Sequence, residues 1–600
     1  MSVLKEDDKK FEANFDVTTE VEYENDEVQN AHQKTANLRR VAEGIPLAAC
    51  FILVNEFCER QDIFLTTIYN VCRFAYYGGS TPFQNYVQNG PTDDPAGELN
   101  RGQSTATALQ NFFTFFCYFT PMLGAIIADG YIGRYWTIII FSIVYMVGWL
   151  ILTTTSIPSA LASGAGFPGY VVALVVIGFG TGGIKGIVSP LCADQYRKTE
   201  NYVKELKSGE LVVVDYDLSI QHLYNWFYWA INVGSLLGGV ICPLLELNVG
   251  FYAAFLLPTC MFAVAILVFV AGSKLYYKPP ATDSVILKAW RVVKFAITQS
   301  KLPENKEARK RSKDVMDFAK RDSDIPAVSE WSVEASEKVK WDDTFVDELK
   351  QAIMACKIFI PLSIYWVSYN QLSNNLLSQA GVMSKPAGLP NDIMNNFDPI
   401  ALIIFIPITD GVLYPLLRKY KINFASQKRI TVGFFLGAFA MVYASVVQHY
   451  IYMDDLFISS MGKQSNVSVF LQIPCYVLIA FSEIFASITS MEYAYTHAPK
   501  SMKSLVSALS LWPNCVAALI SLAISPSAHD PNMTYVYAGV AVGAFVTGII
   551  YYAIFRHYDV IDEEARLKKM ADQDAIGYQM EEKVAPPVIE AEAEAVEKLH

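Results

Sequence analysis

Apolar segments of about 20 residues, long enough to cross the hydrocarbon core of a bilayer as helices, recur along the whole chain. Twelve such blocks account for about half of the 600 residues, of which 52% are hydrophobic. A single block is also compatible with a buried helix of a soluble protein, but twelve in series favour membrane helices. The sequence therefore predicts an all-α membrane protein with 12 transmembrane helices. The blocks lie near 45–88, 105–128, 135–155, 168–193, 221–246, 250–273, 351–376, 397–417, 430–452, 468–490, 504–525 and 535–556.

A charge-rich stretch separates the sixth block from the seventh. Six helices, a long connection and six more helices are typical of transporters built from two similar bundles, which bind substrate between them. Part of the connection, 283–290, fits an amphipathic helix along the membrane or a solvated linker equally well. The predicted units are a disordered tail at 1–43, bundles at 44–273 and 351–556, a linker at 274–350 and an acidic tail at 557–600.

Lysine and arginine in the short loops predict the orientation, because they concentrate on the cytoplasmic side. With both termini in the cytoplasm, the inner loops are basic and the outer loops hold Arg101, Lys385 and Lys463 alone. The two N-glycosylation sequons, at Asn466 and Asn532, then both lie outside. The inner basic residues are Arg134, Arg197, Lys198, Lys204, Lys207, Arg418, Lys419, Lys421, Lys428, Arg429, Lys500 and Lys503.

Charge and cysteine content narrow the function classes. The net charge is −12, and the acids concentrate at 1–43 and 559–600, two segments that we expect to be disordered. An acidic chain of this kind argues against nucleic-acid binding. The ten cysteines lie almost wholly in apolar blocks without paired spacing, so we expect neither a disulfide framework nor a metal site.

Charged residues inside the apolar blocks are the candidate functional residues, because ionised groups in a bilayer need a partner or a water-filled cavity. The first block contains Glu56, Glu59 and Arg60. The fourth contains Lys185 behind a G-x-G-x-x-G run, which we interpret as close helix packing because no βαβ unit surrounds it.

Further polar residues lie in later blocks. Asn232 lies in the fifth, and Glu483 in the tenth with Ser487 one turn on along the same face. Asp398 begins the eighth, where it is either a pocket residue or an interfacial acid at a helix end. Arg60 and Lys185 in one half and Glu483 in the other could bridge a zwitterion such as an amino acid or a short peptide. Candidate aromatic walls, each also compatible with packing, are Tyr76, Tyr77, Tyr118, Trp366 and Trp512.

Over roughly residues 44–560 the sequence resembles the proton-dependent oligopeptide transporters, and their fungal branch in particular. The fifth-helix signature F-Y-x-x-I-N-x-G-S-L is matched at every specified place by 227–236. Segments 128–135 and 492–499 are similar to the second–third loop and the end of the tenth helix. The first-helix motif E-x-x-E-R-F-x-Y-Y-G is matched by Glu56, Glu59, Arg60, Phe74, Tyr76, Tyr77 and Gly78.

The resemblance implies a major facilitator fold, a plasma-membrane location, and uptake of di- and tripeptides coupled to protons, with no other cofactor. It implies that Glu56 and Glu59 take part in proton coupling and that Tyr118 lines the pocket. The remaining implied contacts are Arg60 and Lys185 to the peptide carboxylate, Asn232 to its backbone and Glu483 to its amino terminus.

Two positions differ from most bacterial and animal relatives. Where these have an acid four residues after the tryptophan of helix seven, this chain has Asn370, and where they have asparagine in helix eight it has Asp398. Our hypothesis is that Asp398 supplies the missing pocket charge and joins Arg60 and the two glutamates in proton coupling. The histidine that animal relatives carry in helix two is absent, so coupling rests on carboxylates.

The first-helix motif is interrupted by 13 residues, 61–73. If these stayed helical they would move the tyrosines by about 20 Å along the axis and about 220° around it, which would break the pocket. The segment is therefore either a translated insertion that loops out or an exon-boundary error or retained intron, and we favour the latter.

Three functions are compatible with these residues. A peptide–proton symporter is favoured, a family member that moves nitrate or another solute is the second, and a peptide receptor without transport is the third. An enzyme is least favoured, because no nucleophile–base pair or metal cluster lies in the helices.

Overall fold

The apolar blocks fold into helices. The computed structural model describes residues 40–41, 74–196, 202–205, 209–214, 216–281, 284–301, 314–320, 341–420, 424–499 and 502–584. In the first half the helices are α1 (Phe83–Gln88), α2 (Gln103–Ile127), α3 (Arg134–Thr155), α4 (Pro158–Ala162), α5 (Gly166–Lys185), α6 (Val188–Ala193), α7 (Tyr216–Asn248) and α8 (Phe251–Ala271). After these come α9 (Val285–Ser300), α10 (Asp343–Cys356), α11 (Phe359–Asn370), α12 (Asn375–Val382), α13 (Phe397–Ile408), α14 (Tyr414–Lys419), α15 (Ser426–Met453), α16 (Asp455–Ser459), α17 (Ile473–Glu483), α18 (Thr489–His497), α19 (Lys503–Leu509), α20 (Trp512–Ile524) and α21 (Met533–Val584).

The membrane spans agree with the prediction. Within the described part, ten helical stretches are long and apolar enough to cross a bilayer, and each coincides with a predicted block. The fifth block is helix α7, whose apolar part is described from Gly234 to Asn248. Residues 45–73 of the first block lie outside the described residues.

Each half encloses its own apolar core. Glycines let helices of the first half pack closely: a Cβ on Gly180 would lie 2.6 Å from the Tyr145 Cα, and one on Gly182 would lie 2.5 Å from the Thr120 Cβ. The G-x-G-x-x-G run is therefore a packing surface, as predicted. Large fully buried side chains of the two halves include Trp149, Tyr170, Phe255, Tyr365, Tyr476 and Tyr551.

The linker contains helix α9, which begins at Ser284, whose hydroxyl accepts a hydrogen bond from the Leu287 N–H. Its apolar face, including Ile286 and Val292, packs against α10 and α19 of the second half. The helix is thus amphipathic, but its apolar face packs on protein. The described part of segment 283–290 therefore lies neither along the membrane nor in a solvated linker, the two alternatives that the sequence left open.

Two further elements were not predicted. A small sheet of order β1–β3–β2 joins β1 (Arg40–Val41) in parallel to β3 (Leu211–Val214), which pairs antiparallel with β2 (Tyr202–Glu205). Helix α21 continues to Val584, so the expectation of disorder from residue 559 is wrong for 559–584. Strong helix formers at that point, with Glu564 four residues before Lys568, explain the continuation.

The two ends of the helix bundle differ. We call the end that carries the loops 89–102, 384–390, 460–468 and 525–532 the sequon end, and the end that carries 128–133 and the linker the linker end. At the sequon end, hydrogen bonds join the two halves: Gln84 Nε2 donates to Ser378 Oγ at 3.0 Å, and Asn374 Nδ2 donates to Asn111 Oδ1 at 3.0 Å. The sequon end of the interface is therefore closed.

Candidate functional site

A lysine whose amino nitrogen is buried lies among tyrosines in the first half. Lys185 ends α5, and its Nζ lies 3.5 Å from the ring centroid of Tyr118 on α2 and 5.2 Å from that of Tyr76. A desolvated cation over an aromatic face gains about 2 kcal/mol or more. The structure thus brings together three residues that the sequence assigned separately to the pocket.

The second half of the first-helix motif forms a π-helical turn, Phe74–Gly78. Tyr76 and Tyr77 meet edge to face at 5.1 Å, and Tyr76 stacks on Phe113 at 5.7 Å. Tyr77 remains 36% exposed. The wide turn therefore presents two adjacent rings near Lys185, in keeping with the frequent occurrence of π-turns at functional sites.

Two acids and a tyrosine lie together in the second half. The Tyr369 hydroxyl, at the end of α11, donates to Asp398 Oδ2 at 3.3 Å, and the Glu483 carboxyl lies nearby. Asp398 is 5% exposed and Glu483 9%. Asp398 Oδ1 and Glu483 Oε2 are buried and accept no hydrogen bond from a described group. Asp398, in the first turn of α13, is therefore buried, and its place in a substrate pocket remains a prediction.

Glu483 ends helix α17 and directly precedes a π-helical turn, Ile484–Ile488. This turn contains Ser487, which is half-buried. The site in the second half therefore has a π-turn beside it, as the site in the first half does.

The predicted tryptophans differ in position. Trp366 is half-buried and meets the Tyr369 ring at 4.9 Å, so it supports the hydroxyl between the two acids. Trp512, at the start of α20, is 45% exposed.

The cation and the acids lie in different halves. Lys185 belongs to the first half, and Asp398, Glu483 and Tyr369 belong to the second. That they line one region between the halves remains a prediction. Sequence reasoning missed Tyr369, although its position three residues after Trp366 on a helix was a usable signal.

The remaining predicted site residues stay predictions. Glu56, Glu59 and Arg60 lie outside the described residues, as does the inserted segment 61–73. Asn232 lies on α7, but its side chain is not described.

Both sequons lie at the sequon end. Asn466 is exposed, and its Nδ2 donates to Asp454 Oδ1 at 3.2 Å. Asn532 is half-buried and precedes α21, and the hydroxyl of its sequon residue Thr534 is buried. Modification at Asn466 is therefore favoured over Asn532, and both remain predictions.

Ion pairs also join the halves at this end. Lys463 Nζ lies 2.9 Å from Asp93 Oδ1, and Lys385 Nζ lies 3.3 Å from Asp94 Oδ1. A hydrogen bond from the Gly90 N–H and another from Lys463 hold the pKa of the Asp93 carboxyl below its ordinary value. A polar cleft of about 520 Å³ opens beside these pairs, lined by residues of both halves that include Asn85, Gln88 and Ser378.

Comparison with known proteins identifies the family. The family model described as "POT family" matches residues 135–541. The chain is 43% identical over 547 residues to "Probable peptide transporter ptr2" of Schizosaccharomyces pombe, covering 91% of this chain and 83% of that protein. It is 38% identical over 545 residues to "Peptide transporter PTR2" of Saccharomyces cerevisiae, covering 90% and 84%.

Solved structures agree on the fold. The POT family transporter PepTSo, solved in meso, superposes with a TM-score of 0.63 at 22% identity, covering 86% of this chain and 99% of the other. At that identity the likeness concerns the fold, which is the two-bundle major facilitator architecture predicted from the sequence. The length of the family match and the identity to the fungal relatives together establish that this chain belongs to the POT family of transporters.

Proposed function

We propose that this chain carries di- and tripeptides across a membrane together with protons, by alternating access. The chain is a transporter and not an enzyme. The observation that carries the proposal is that each half holds buried charge of opposite sign, with the Lys185 ammonium over Tyr118 and Tyr76 in the first half and the acids Asp398 and Glu483 in the second. A peptide has a carboxylate at one end and an ammonium group at the other, so it can bridge these groups.

Substrate contacts follow from charge. Lys185 binds the peptide carboxylate, and Glu483 binds the amino terminus. Asn232 and Arg60 remain predicted contacts to the backbone and carboxylate, and Ser487 and Trp512 remain predicted pocket residues.

Proton coupling follows from the same acids. Asp398 accepts a hydrogen bond from Tyr369, whereas Asp398 Oδ1 and Glu483 Oε2 accept none from a described group, so either acid can take up a proton or meet an ammonium group. Proton and peptide therefore act on the same pair. Glu56 and Glu59 remain predicted members of the coupling group, and the proton is the coupling ion with no other cofactor.

The orientation is also proposed. We place the sequon end outside the cell and both termini in the cytoplasm of a plasma-membrane protein, as the loop charges predict. The closed sequon end then corresponds to an inward-directed or occluded state of the transporter.

The test is uptake of labelled dipeptide into proteoliposomes under a proton gradient. The full chain should accumulate dipeptide, and Lys185→Gln and Glu483→Gln should each reduce uptake at least tenfold, the loss of about 1.4 kcal/mol of binding. Lys294→Gln, at an exposed position on α9, is the matched control and should transport normally. Binding without uptake would support a receptor, and inhibition by nitrate but not by peptide would support another solute.

A further inference from the structure

Helix α7 of the first half and the 3-10 segment Asn391–Asn396 of the second half approach very closely. Asn396 Nδ2 donates to the Gly239 carbonyl at 2.8 Å, and a Cβ on Gly239 would lie 2.3 Å from Asn396 Oδ1. Seven residues beyond Gly239, about two turns along the same helix face, lies Glu246. The same approach therefore brings Glu246 toward the start of this 3-10 segment.

Glu246 meets Asp392 there. The Asn85 Nδ2 atom lies 3.1 Å from Glu246 Oε1 and 3.0 Å from Asp392 Oδ1, so the two carboxyl groups lie side by side. Asp392 is 0% exposed. Asn85 and Glu246 belong to the first half and Asp392 to the second, so this cluster spans the interface.

Two adjacent carboxyl groups can hydrogen-bond each other only when one carries a proton, because an ionised carboxylate can only accept. Glu246 Oε2 and Asp392 Oδ2 are buried and receive no hydrogen bond from a described donor. Two adjacent buried negative charges without further donors would repel each other strongly. The arrangement is therefore compatible with one shared proton and not with two ionised acids.

Other groups around the pair do not replace that proton. Lys385 attracts both carboxyls, but its Nζ already lies 3.3 Å from Asp94 Oδ1. Cys242, one turn before Glu246, and Tyr476 of α17 also interact electrostatically with the pair. Neither of these is a cation.

We propose that Glu246 and Asp392 form a proton-binding site at the sequon-end gate, in which one proton shared between the two carboxyls holds the gate closed. Loss of this proton leaves two carboxylates facing each other across the interface and opens the gate. The site is distinct from the peptide-binding acids Asp398 and Glu483. Placing it on the outer side rests on the proposed transport function.

The polar cleft offers the proton a route. Asn85, Gln88, Asp93 and Ser378 line it, and Asn85 donates directly to both acids at its inner side. Protons from the bulk solution on this side therefore reach the pair without crossing the peptide site.

The experiment measures gate closure directly. Genetically encoded spin labels at Thr92 and Ile458, two exposed positions in opposite halves, report the distance across the sequon end in the full-length protein in nanodiscs. We expect the closed fraction of the parent to rise at least tenfold from about pH 8 to about pH 5.5. Glu246→Gln and Asp392→Asn each supply an amide N–H in place of the shared proton, so each should stay closed at both pH values.

The control is Asp93→Asn, which removes an ion pair at the same end but not the shared proton. It should lower closure at both pH values and leave the pH response intact. Because the two amide variants lie in different halves, a folding defect in one leaves the other informative, and thermal stability is measured for both. A parent without pH response, or amide variants that respond as the parent does, would overturn the proposal.

Dipeptide uptake by the parent separates this proposal from the transport function. A pH-responsive gate without uptake would leave the proton site standing and refute peptide transport. Uptake with a gate that ignores pH would refute the proton site alone.

Discussion

The ammonium group of Lys185 lies 3.5 Å from the centre of the Tyr118 ring. This contact places the cation of the first half directly against an aromatic ring. In the proposed function, this cation binds the peptide carboxylate.

The first prediction concerns that ring. Tyr118→Leu removes the cation–π partner and should raise the dipeptide concentration for half-maximal uptake about tenfold, whereas Tyr118→Phe keeps the π face and should stay within about threefold. Concentration-dependent uptake in proteoliposomes measures both. Equal losses in the two variants would show that the hydroxyl, and not the ring face, matters.

The second prediction concerns Asp398. Asp398→Ala should abolish proton-driven uptake while peptide exchange across the membrane without a gradient persists, because the acid that pairs with Glu483 is lost. Full proton-driven uptake by this variant would refute the role of Asp398.

Exchanging the acid and the amide between positions 370 and 398 tests whether the location of the acid matters. Asn370, next to Tyr369, is half-buried, and Asn370→Asp combined with Asp398→Asn restores the arrangement that the resemblance describes for other relatives. We expect the double variant to recover part of the proton-driven uptake that Asp398→Asn alone loses. No recovery would mean that the position of the acid, and not only its presence, is required.

The third prediction concerns pH at the Asp93–Lys463 ion pair. The pKa of Asp93 is lowered in the folded protein, so its contribution is present above the ordinary pKa and is lost only as the pH falls through the lowered value. A change of pH near neutrality should therefore leave the Asp93–Lys463 ion pair intact. The pair is partly exposed and contributes at most about 1 kcal/mol, and high salt should weaken it. Spin-label distances at low and high salt, at fixed pH, measure this effect.

The fourth prediction concerns the close helix approach at Gly239. Gly239→Ala places a methyl group 2.3 Å from Asn396 Oδ1 and should shift the gate toward the open state by about 1–3 kcal/mol. Gly539→Ala, whose methyl group meets nothing within 4 Å, is the matched control. The control should keep the parent's spin-label distances. Parent-like distances in Gly239→Ala as well would contradict the prediction.

The fifth prediction concerns residues 61–73. Deleting them joins Arg60 directly to Phe74 and rebuilds the uninterrupted first-helix motif. Because Tyr76 already lies beside Lys185, we expect the deletion to restore or improve dipeptide uptake. Sequencing the transcript establishes whether residues 61–73 are encoded in the mature message. Loss of uptake on deletion would show that they are a functional insertion.

Most of the helices could be predicted because their signal is local. An apolar run of about 20 residues identifies a span without knowledge of its neighbours. The prediction of disorder after residue 559 was wrong because the acidic segment up to Val584 also contains strong helix formers, which continue α21. The small sheet was missed because its strands are short and pair Arg40–Val41 with residues over 170 positions away.

The sequence by itself determined the helical membrane fold and the identity of Lys185, Asp398 and Glu483 as unusual charges, because an ionised group in an apolar run is costly wherever that run packs. Only the tertiary structure decided which partners they meet. Tyr369 reaches Asp398 over 29 positions, and Asn85 reaches Asp392 over 307. Such contacts depend on how helices pack across the interface, and residue spacing along the chain carries no information about that packing.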